Sequence, residues 1–405
     1  MSKSKVQKAA HPVKLDLNNT EIAFAHLSDL QMQQALILFK VIGNPLVVQL
    51  GPTFASLSLK LHLPVQGIIK KTIFSHFCGG ENIEACLPRI QQLGKKGVGT
   101  ILDFAREGGG LEKDFDLVVA EIIHTIDMAA KHKDMVPFTV FKPTGVSSME
   151  LMMKVERGDA LSADEKSAFS RAKDRFTRIC EHAAKAGVPV MVDAEESWIQ
   201  NTVDGIVMEL MARLNKDRAI VFNTIQLYRH DRLEFIKASF AKAEAQGFHL
   251  GMKLVRGAYL EKENKHAAKQ DRSSPLNASK QATDHEYNQA LRFCLEHLDR
   301  IAICAGTHNE ESVRLLVELM HKYSIEPQDP RICFAQLLGM SDNISFNLAS
   351  AGYQVAKYVP YGTVAELLPY LTRRAQENSS VLGQSSRELD LLHREYQRRK
   401  KTKKH

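Results

Sequence analysis

Hydrophobic and polar positions divide this chain into two regimes. Through the first ninety or so residues the pattern is helical. Ser28 with Gln31 spells a capping box ahead of an amphipathic segment that ends near Gly43-Asn44-Pro45. No strong strand pattern precedes residue 98. Beyond it, short β-branched or apolar runs recur at 99–103, 139–142, 190–193, 221–226, 252–255, 301–305, 332–336 and 354–358, each followed by a helical stretch. Continuous apolar runs of this kind indicate parallel strands buried on both faces. Eight strand-and-helix units predict an α/β fold closed as a distorted (βα)8 TIM barrel rather than an open doubly wound sheet. The expected organisation is an N-terminal helical region over 1–90, a catalytic barrel over 91–382 and a basic tail over 383–405. The spacing between runs is irregular and no sequence repeat is evident.

In such barrels the chemistry sits where strands end. Polar groups stand at nearly every predicted end: Asp103, Lys142, Asp193 with Glu195, Gln226, Arg256 with Tyr259, Thr307-His308-Asn309, Gln336 and Tyr358. A polar residue at one strand end is commonly a loop cap. So many on one mouth point to a site. The last barrel helix, with Tyr370, Arg373, Arg374 and Glu377 at offsets of three, four and seven, gathers a phenol, two guanidiniums and a carboxylate on one face. Paired arginines beside an aromatic ring suit a small carboxylate with an apolar body. Taken alone, the same helix also reads as a solvated end with an Arg–Glu pair.

Composition narrows the classes. The chain has 405 residues, 44% hydrophobic and 25% charged, ordinary for a globular protein. Its formal charge is +7, but six positive charges fall in the last eight residues, so the body is nearly neutral and no nucleic-acid surface is expected. Leu389, Leu392 and Tyr396 precede that basic run as a narrow apolar stripe, which reads either as a helix lying on an anionic bilayer or as a solvated tail. The six cysteines are scattered and read as buried free thiols, and no metal-ligand spacing appears. The longest apolar run, 35–50, is too interrupted to span a bilayer. No G-x-G-x-x-G follows a strand, so no Rossmann unit is expected.

Together these residues resemble the proline dehydrogenase family, in its monofunctional, eukaryote-like branch. The resemblance is carried by Leu254-Val255-Arg256-Gly257-Ala258-Tyr259, Asp193-Ala194-Glu195, Thr307-His308-Asn309 and residues 370–378, with Asn19-Thr20-Glu21-Ile22-Ala23-Phe24 and Tyr358-Val359-Pro360-Tyr361-Gly362 marking the branch. It runs from about residue 18 to 382. It implies FAD as cofactor, oxidation of L-proline to 1-pyrroline-5-carboxylate, and transfer of electrons to ubiquinone or a similar membrane quinone. It places the substrate carboxylate on Arg373 and Arg374 with Lys142 beside it. Tyr358, Tyr370 and Leu254 would pack the pyrrolidine ring, and Asp193 would orient Tyr358. Flavin contacts would come from Gln226, Lys253, Val255, Arg256, Gly257, Ala258, Tyr259, Thr307, His308, Asn309, Gln336 and Glu377. Glu107 falls where relatives place an acid that pairs with the first arginine of the helix. Lys253 stands where other branches carry Arg, and Ile225 where close relatives are often aromatic.

Tyr at position 358 accompanies proline preference in the family, because a phenol over the ring leaves little room for a hydroxyl; 4-hydroxyproline is the alternative substrate. Two rival classes remain. One is a cofactor-free barrel lyase forming a Schiff base on Lys142 or Lys253. The other is a binding protein anchored to RNA or membrane by its tail. Residues 1–15 carry neither an apolar signal core nor an Arg- and Ser-rich leader. The expected location is therefore cytoplasmic, peripheral on the inner face of the cytoplasmic membrane, or on the mitochondrial inner membrane if the chain is eukaryotic.

Overall fold

A computed structural model describes residues 15–44, 66–106, 112–380 and 384–403. Glu107 and most of the polar N-terminal stretch lie outside the described residues. Eight strands form: β1 (Val98–Phe104), β2 (Phe138–Phe141), β3 (Val190–Val192), β4 (Val221–Gln226), β5 (Leu250–Val255), β6 (Ile301–Gly306), β7 (Ile332–Leu337) and β8 (Val355–Tyr361). They close in sequence order, all parallel, with β8 returning to β1. Helices surround this barrel, as the alternating pattern predicts.

The boundaries differ from the sequence pattern in three informative places. Lys142 and Asp193 fall just past β2 and β3, and Lys142 opens the short helix Pro143–Val146. Pro143 has no N–H to give a ladder, so the strand ends and the helix begins there. At the other extreme β8 runs on through Pro360 to Tyr361. Its paired partner β1 is equally long, with Asp103 opposite Pro360 and Phe104 opposite Tyr361.

Side chains alternate between two layers along each strand. Ile101, Val140, Met191, Phe222, Cys304, Cys333, Ala335 and Tyr358 point inward and fill the barrel, where Phe138 and Phe222 meet edge to face with centroids 5.4 Å apart. Leu102, Val190, Ile225, Leu254, Ile303 and Val359 point outward and pack against the helices.

A second apolar core lies outside the barrel and joins the two ends of the chain. Phe24, Met32, Leu36 and Phe39 from the helices Thr20–Phe24 and Asp29–Ile42 pack with Leu367, Tyr370 and Leu371 of the helix Val364–Ser380, and with Leu391 and Leu392 of the helix Gln384–Thr402. The expected capping box at Ser28 and Gln31 is present. The basic tail is thus a docked helix. Leu389, Leu392 and Tyr396 face the protein, which corrects both the solvated-tail reading and the reading of that stripe as free to enter a bilayer. Much of the basic run is also engaged. Arg399 donates to the Leu27 and Phe24 carbonyls, each at 2.8 Å, and both Arg398 and Arg399 pair with the fully buried Glu395. Among the described residues no helix is long and apolar enough to cross a membrane, and no cluster of His, Cys, Asp or Glu could hold a metal.

Glu388 fixes the docked helix to the barrel rim. Its carboxylate accepts the Ser341 N–H at 3.0 Å, at the start of the helix Asp342–Ser350. Burial, reinforced by the Asp342 charge, pushes this carboxyl up from 4.5 to about 7.

Two outcomes follow. Leu391→Ala, at a fully buried position, should lower stability by about 2–5 kcal/mol in chemical denaturation, through the cavity it leaves. Because Glu388 holds its proton more tightly folded than unfolded, wild-type stability should fall as pH rises from about 4.5 to about 7. Glu388→Gln, which keeps the acceptor oxygen, should flatten that part of the stability–pH profile.

Candidate active site at the barrel mouth

Inward-facing positions at the C-terminal ends of the strands bring a charged network together. Tyr358 of β8 donates its hydroxyl to Asp193 Oδ2 at 2.7 Å, the contact expected from the sequence. Lys253 of β5 reaches Asp193 Oδ1 at 2.5 Å and lies 4.6 Å from the Tyr358 ring centroid. Lys142 donates to Asp103 Oδ2 at 2.5 Å and to the Tyr358 hydroxyl at 3.2 Å. All five side chains are buried. Two ammonium groups thus balance two carboxylates around one phenol, a combination that survives burial only because each charge is paired.

The pairing sets the protonation states. Burial works to raise the Asp193 carboxyl, but Lys253 and Lys142 outweigh it and hold it below the usual range. At Asp103 burial and the neighbouring Asp193 charge prevail over Lys142, and the carboxyl is raised. Burial and both carboxylates push the Tyr358 phenol well above 10, so it remains a hydrogen-bond donor.

The helix Val364–Ser380 follows β8 directly, and Arg373 lies 5.7 Å from the ring centroid of Tyr259, in the loop after β5. A helix that leaves β8 and reaches the β5 loop crosses the barrel opening. The last barrel helix therefore lies over the mouth. Arg374 is buried, donates to Glu377 at 2.6 Å and lies 5.0 Å from the Tyr370 ring centroid. Burial raises the Glu377 carboxyl in spite of Arg374 and Arg373.

Other expected residues line the rim or brace it. Arg256 is fixed by Asp284 at 2.6 Å, Thr307 Oγ1 at 2.7 Å and Ser312 Oγ at 2.9 Å. Asn309 caps the helix Glu310–Lys322 by accepting the Ser312 N–H. His308 Nδ1 is 2.9 Å from Ser341 Oγ, and burial pushes its imidazole down to about 3, with Lys357, Arg374 and Arg256 adding to the effect. Val255 is half-buried, while Gly257 and Ala258 are exposed at the rim. Gly257 has φ +131°, and a Cβ there would stand 2.6 Å from the Tyr228 ring, so the position needs glycine.

Two expected residues turn away from the opening. Leu254 lies between inward-facing Lys253 and Val255, so alternation sends it into the outer helix layer, fully buried. Gln336 likewise spends its amide inside the protein, donating to the Thr307 carbonyl and accepting from Ser345. The aliphatic neighbour of Tyr358 is instead Leu337, its register partner on β7. Leu337 and Asp103 are the residues that sequence reasoning left without a role. Both occupy inward strand ends, which was the available signal.

The mouth also holds polar atoms in want of partners. Gln226 Oε1 and Thr224 Oγ1, inward on β4, and the Tyr370 hydroxyl are buried with no hydrogen-bond partner among the described residues. Buried polar groups are normally satisfied. Orphans around an opening with two guanidiniums above it suit a planar hydrogen-bonding group together with a small anion.

Comparison with known proteins shows the family and the fold. The chain is 36% identical over 334 residues to a carbapenem antibiotics biosynthesis protein, CarD, of Pectobacterium carotovorum subsp. carotovorum, covering 82% of this chain and 86% of that protein. It is 31% identical to a mitochondrial proline dehydrogenase 1 of Dictyostelium discoideum, covering 95% of this chain and 75% of the relative. Against animal mitochondrial proline dehydrogenases, such as the human protein at 39% identity, the match spans about two-fifths of the relative's length. Among solved structures, proline utilization A from Bdellovibrio bacteriovorus, inactivated by N-propargylglycine, superposes with a TM-score of 0.70 at 20% identity, over 93% of this chain and 40% of that one, and attests the fold. The proline dehydrogenase family pattern itself matches residues 86–387, which include all eight strands and both arginines of the last barrel helix, and the chain belongs to that family.

Proposed function

We propose that this chain oxidises L-proline to 1-pyrroline-5-carboxylate with FAD and passes the electrons to a membrane quinone, working at the face of the membrane that carries it. The observation that carries the reading is the Tyr358–Asp193–Lys253 and Lys142–Asp103 network beneath a helix bearing adjacent arginines. Membership of the family and the likeness to the Dictyostelium proline dehydrogenase support it.

The chain's own work is placement. Arg373 and Arg374 fork onto the proline carboxylate, with Glu377 setting the Arg374 guanidinium. Asp193 locks the Tyr358 ring against the pyrrolidine, Tyr370 closes the other side, and Leu337 supplies the apolar contact assigned from sequence to Leu254. The orphaned Gln226 Oε1 and Thr224 Oγ1 fit the polar edge of an isoalloxazine, with Lys253 beside them and His308 and the glycine rim suited to the rest of the cofactor. When bound, FAD supplies the two-electron acceptor for the hydride that leaves the ring carbon next to nitrogen. Lys253 and Lys142 each sit 2.5 Å from a carboxylate, which disfavours the rival reading of either as a Schiff-base nucleophile.

The purified protein should show flavin absorption bands that L-proline bleaches without oxygen; a colourless protein that borohydride traps with a carbonyl substrate would support the lyase instead. Arg373→Met should weaken proline binding by at least about tenfold while leaving flavin content intact, since a charge-assisted hydrogen bond contributes about 1.5–3 kcal/mol. Equal loss of both ligands would argue against the assignment. Tyr358→Ser should raise activity on 4-hydroxyproline relative to proline; an unchanged preference ratio in steady-state kinetics would remove Tyr358 from substrate selection.

A further inference from the structure

A cavity of about 890 Å3 lies behind the barrel mouth, on the outer side of β8. Among the described residues its walls come from the helices Asp29–Ile42, Ile83–Gly94 and Val364–Ser380, the π-helical turn Lys70–Phe74 and the loop after β7. The size matches pockets that hold small organic molecules, roughly 300–1,000 Å3. Much of the wall is apolar, with Ala35, Leu38, Ile42, Ile73, Leu368 and Leu371. It opens beside Ile37 and Val41, which are exposed on the Asp29–Ile42 helix.

The charge on this wall does not balance. Among the described residues Lys71, Arg89 and Lys357 line the cavity against one carboxylate, Asp342. Asp342 is already spent, with Oδ1 on Lys357 at 2.7 Å and Oδ2 3.3 Å from His26 Nε2. His76 adds no charge, because burial pushes its imidazole down to about 4. Two cations are left over. Arg89 is half-buried and donates only to neutral acceptors, the Gln92 Oε1 and the Ser75 carbonyl, each at 2.9 Å. Burial works against its charge, and only the more distant Asp342 supports it. A guanidinium has five N–H donors, so three remain for a ligand. Lys71 is exposed at the turn just ahead of Ser75 and has no ion-pair partner among the described residues. Residues 45–65, which link the helix Asp29–Ile42 to this turn along the chain, contain no Asp or Glu. Charges withdrawn from water are normally paired.

We propose that this cavity binds a long-chain fatty acid, with the carboxylate on Arg89 and Lys71 and the acyl chain along the Asp29–Ile42 helix. Surplus positive charge selects an anionic head, and the apolar walls select a tail. A neutral lipid would leave Arg89 unpaired. A phosphate head would bring a second negative charge toward Asp342, whereas a carboxylate brings one and matches the guanidinium fork. The site is distinct from the barrel mouth: on β8, Tyr358 points inward to the charged network and Lys357 outward to the cavity. Nothing in it depends on the reaction at the mouth.

The test is equilibrium dialysis of laurate against the full chain, in wild type, Arg89→Gln, Lys71→Glu and Ala35→Trp, which fills the pocket. One saturable site per chain is expected. Its dissociation constant should rise at least about tenfold in Arg89→Gln and Ala35→Trp, as loss of a charge-assisted hydrogen bond or of the tail pocket requires. At the exposed Lys71 the rise should be severalfold. Dodecylamine, with the same chain and the opposite charge, should not displace laurate. Leu38→Trp replaces Ala35→Trp if the latter fails to fold, and Lys71→Glu carries the charge test if Arg89→Gln does. Absence of a saturable site in wild type, wild-type affinity in the charge variants, or displacement by dodecylamine as effective as by unlabelled laurate would overturn the assignment. Displacement by dodecyl phosphate at lower concentration than by laurate would overturn the carboxylate in favour of a lipid phosphate.

Discussion

Alternation of side chains along eight closed parallel strands governs everything else in this molecule. A residue facing inward near a strand end reaches the mouth, and its neighbour one position away reaches the helix layer. Asp103, Lys142, Asp193, Lys253 and Tyr358 meet because all five sit on the inward parity. Leu254 and Lys357 are sent outward for the same reason, one into a packed interface and the other onto the wall of a second cavity.

The charged network would be costly in isolation. Burying four charges is tolerated only where each finds a partner, and removing one member of a buried pair typically costs about 3–5 kcal/mol. Such an arrangement contributes geometry rather than net stability. It holds the Tyr358 ring between two ammonium groups and one carboxylate, with its hydroxyl committed to Asp193. A flat, fixed phenol at the bottom of a pocket is what positioning a small ring requires.

The outer helices set the lid. The helix crossing the mouth packs into a core shared with the first and last helices of the chain, so its arginines are held from behind by Phe24, Met32 and Leu391. Glu388 and Arg387 tie the last helix to Ser341 in the loop after β7 and to Glu310 at the start of the helix after β6. The segment that reads as a loose basic tail is therefore part of the support of the site. Its three apolar residues have the spacing of a membrane-surface helix, but a protein surface satisfies the same spacing.

The primary sequence determined the barrel, because parallel strands buried on both faces leave an unmistakable alternation of apolar runs with helices. It also determined most of the mouth: Lys142, Asp193, Gln226, Tyr358 and the arginine pair were readable as polar residues at strand ends or on one helical face. Parity was not readable where a strand is apolar on both faces. Lys253 and Leu254 are adjacent in an apolar strand, and a shift of one residue exchanges inside for outside. The same uncertainty hid Leu337. Only the tertiary structure decided that the tail docks, that Asp103 joins Lys142 from a neighbouring strand, and that His26 ends up beside Asp342, because these contacts join residues far apart along the chain through packing that no local pattern encodes.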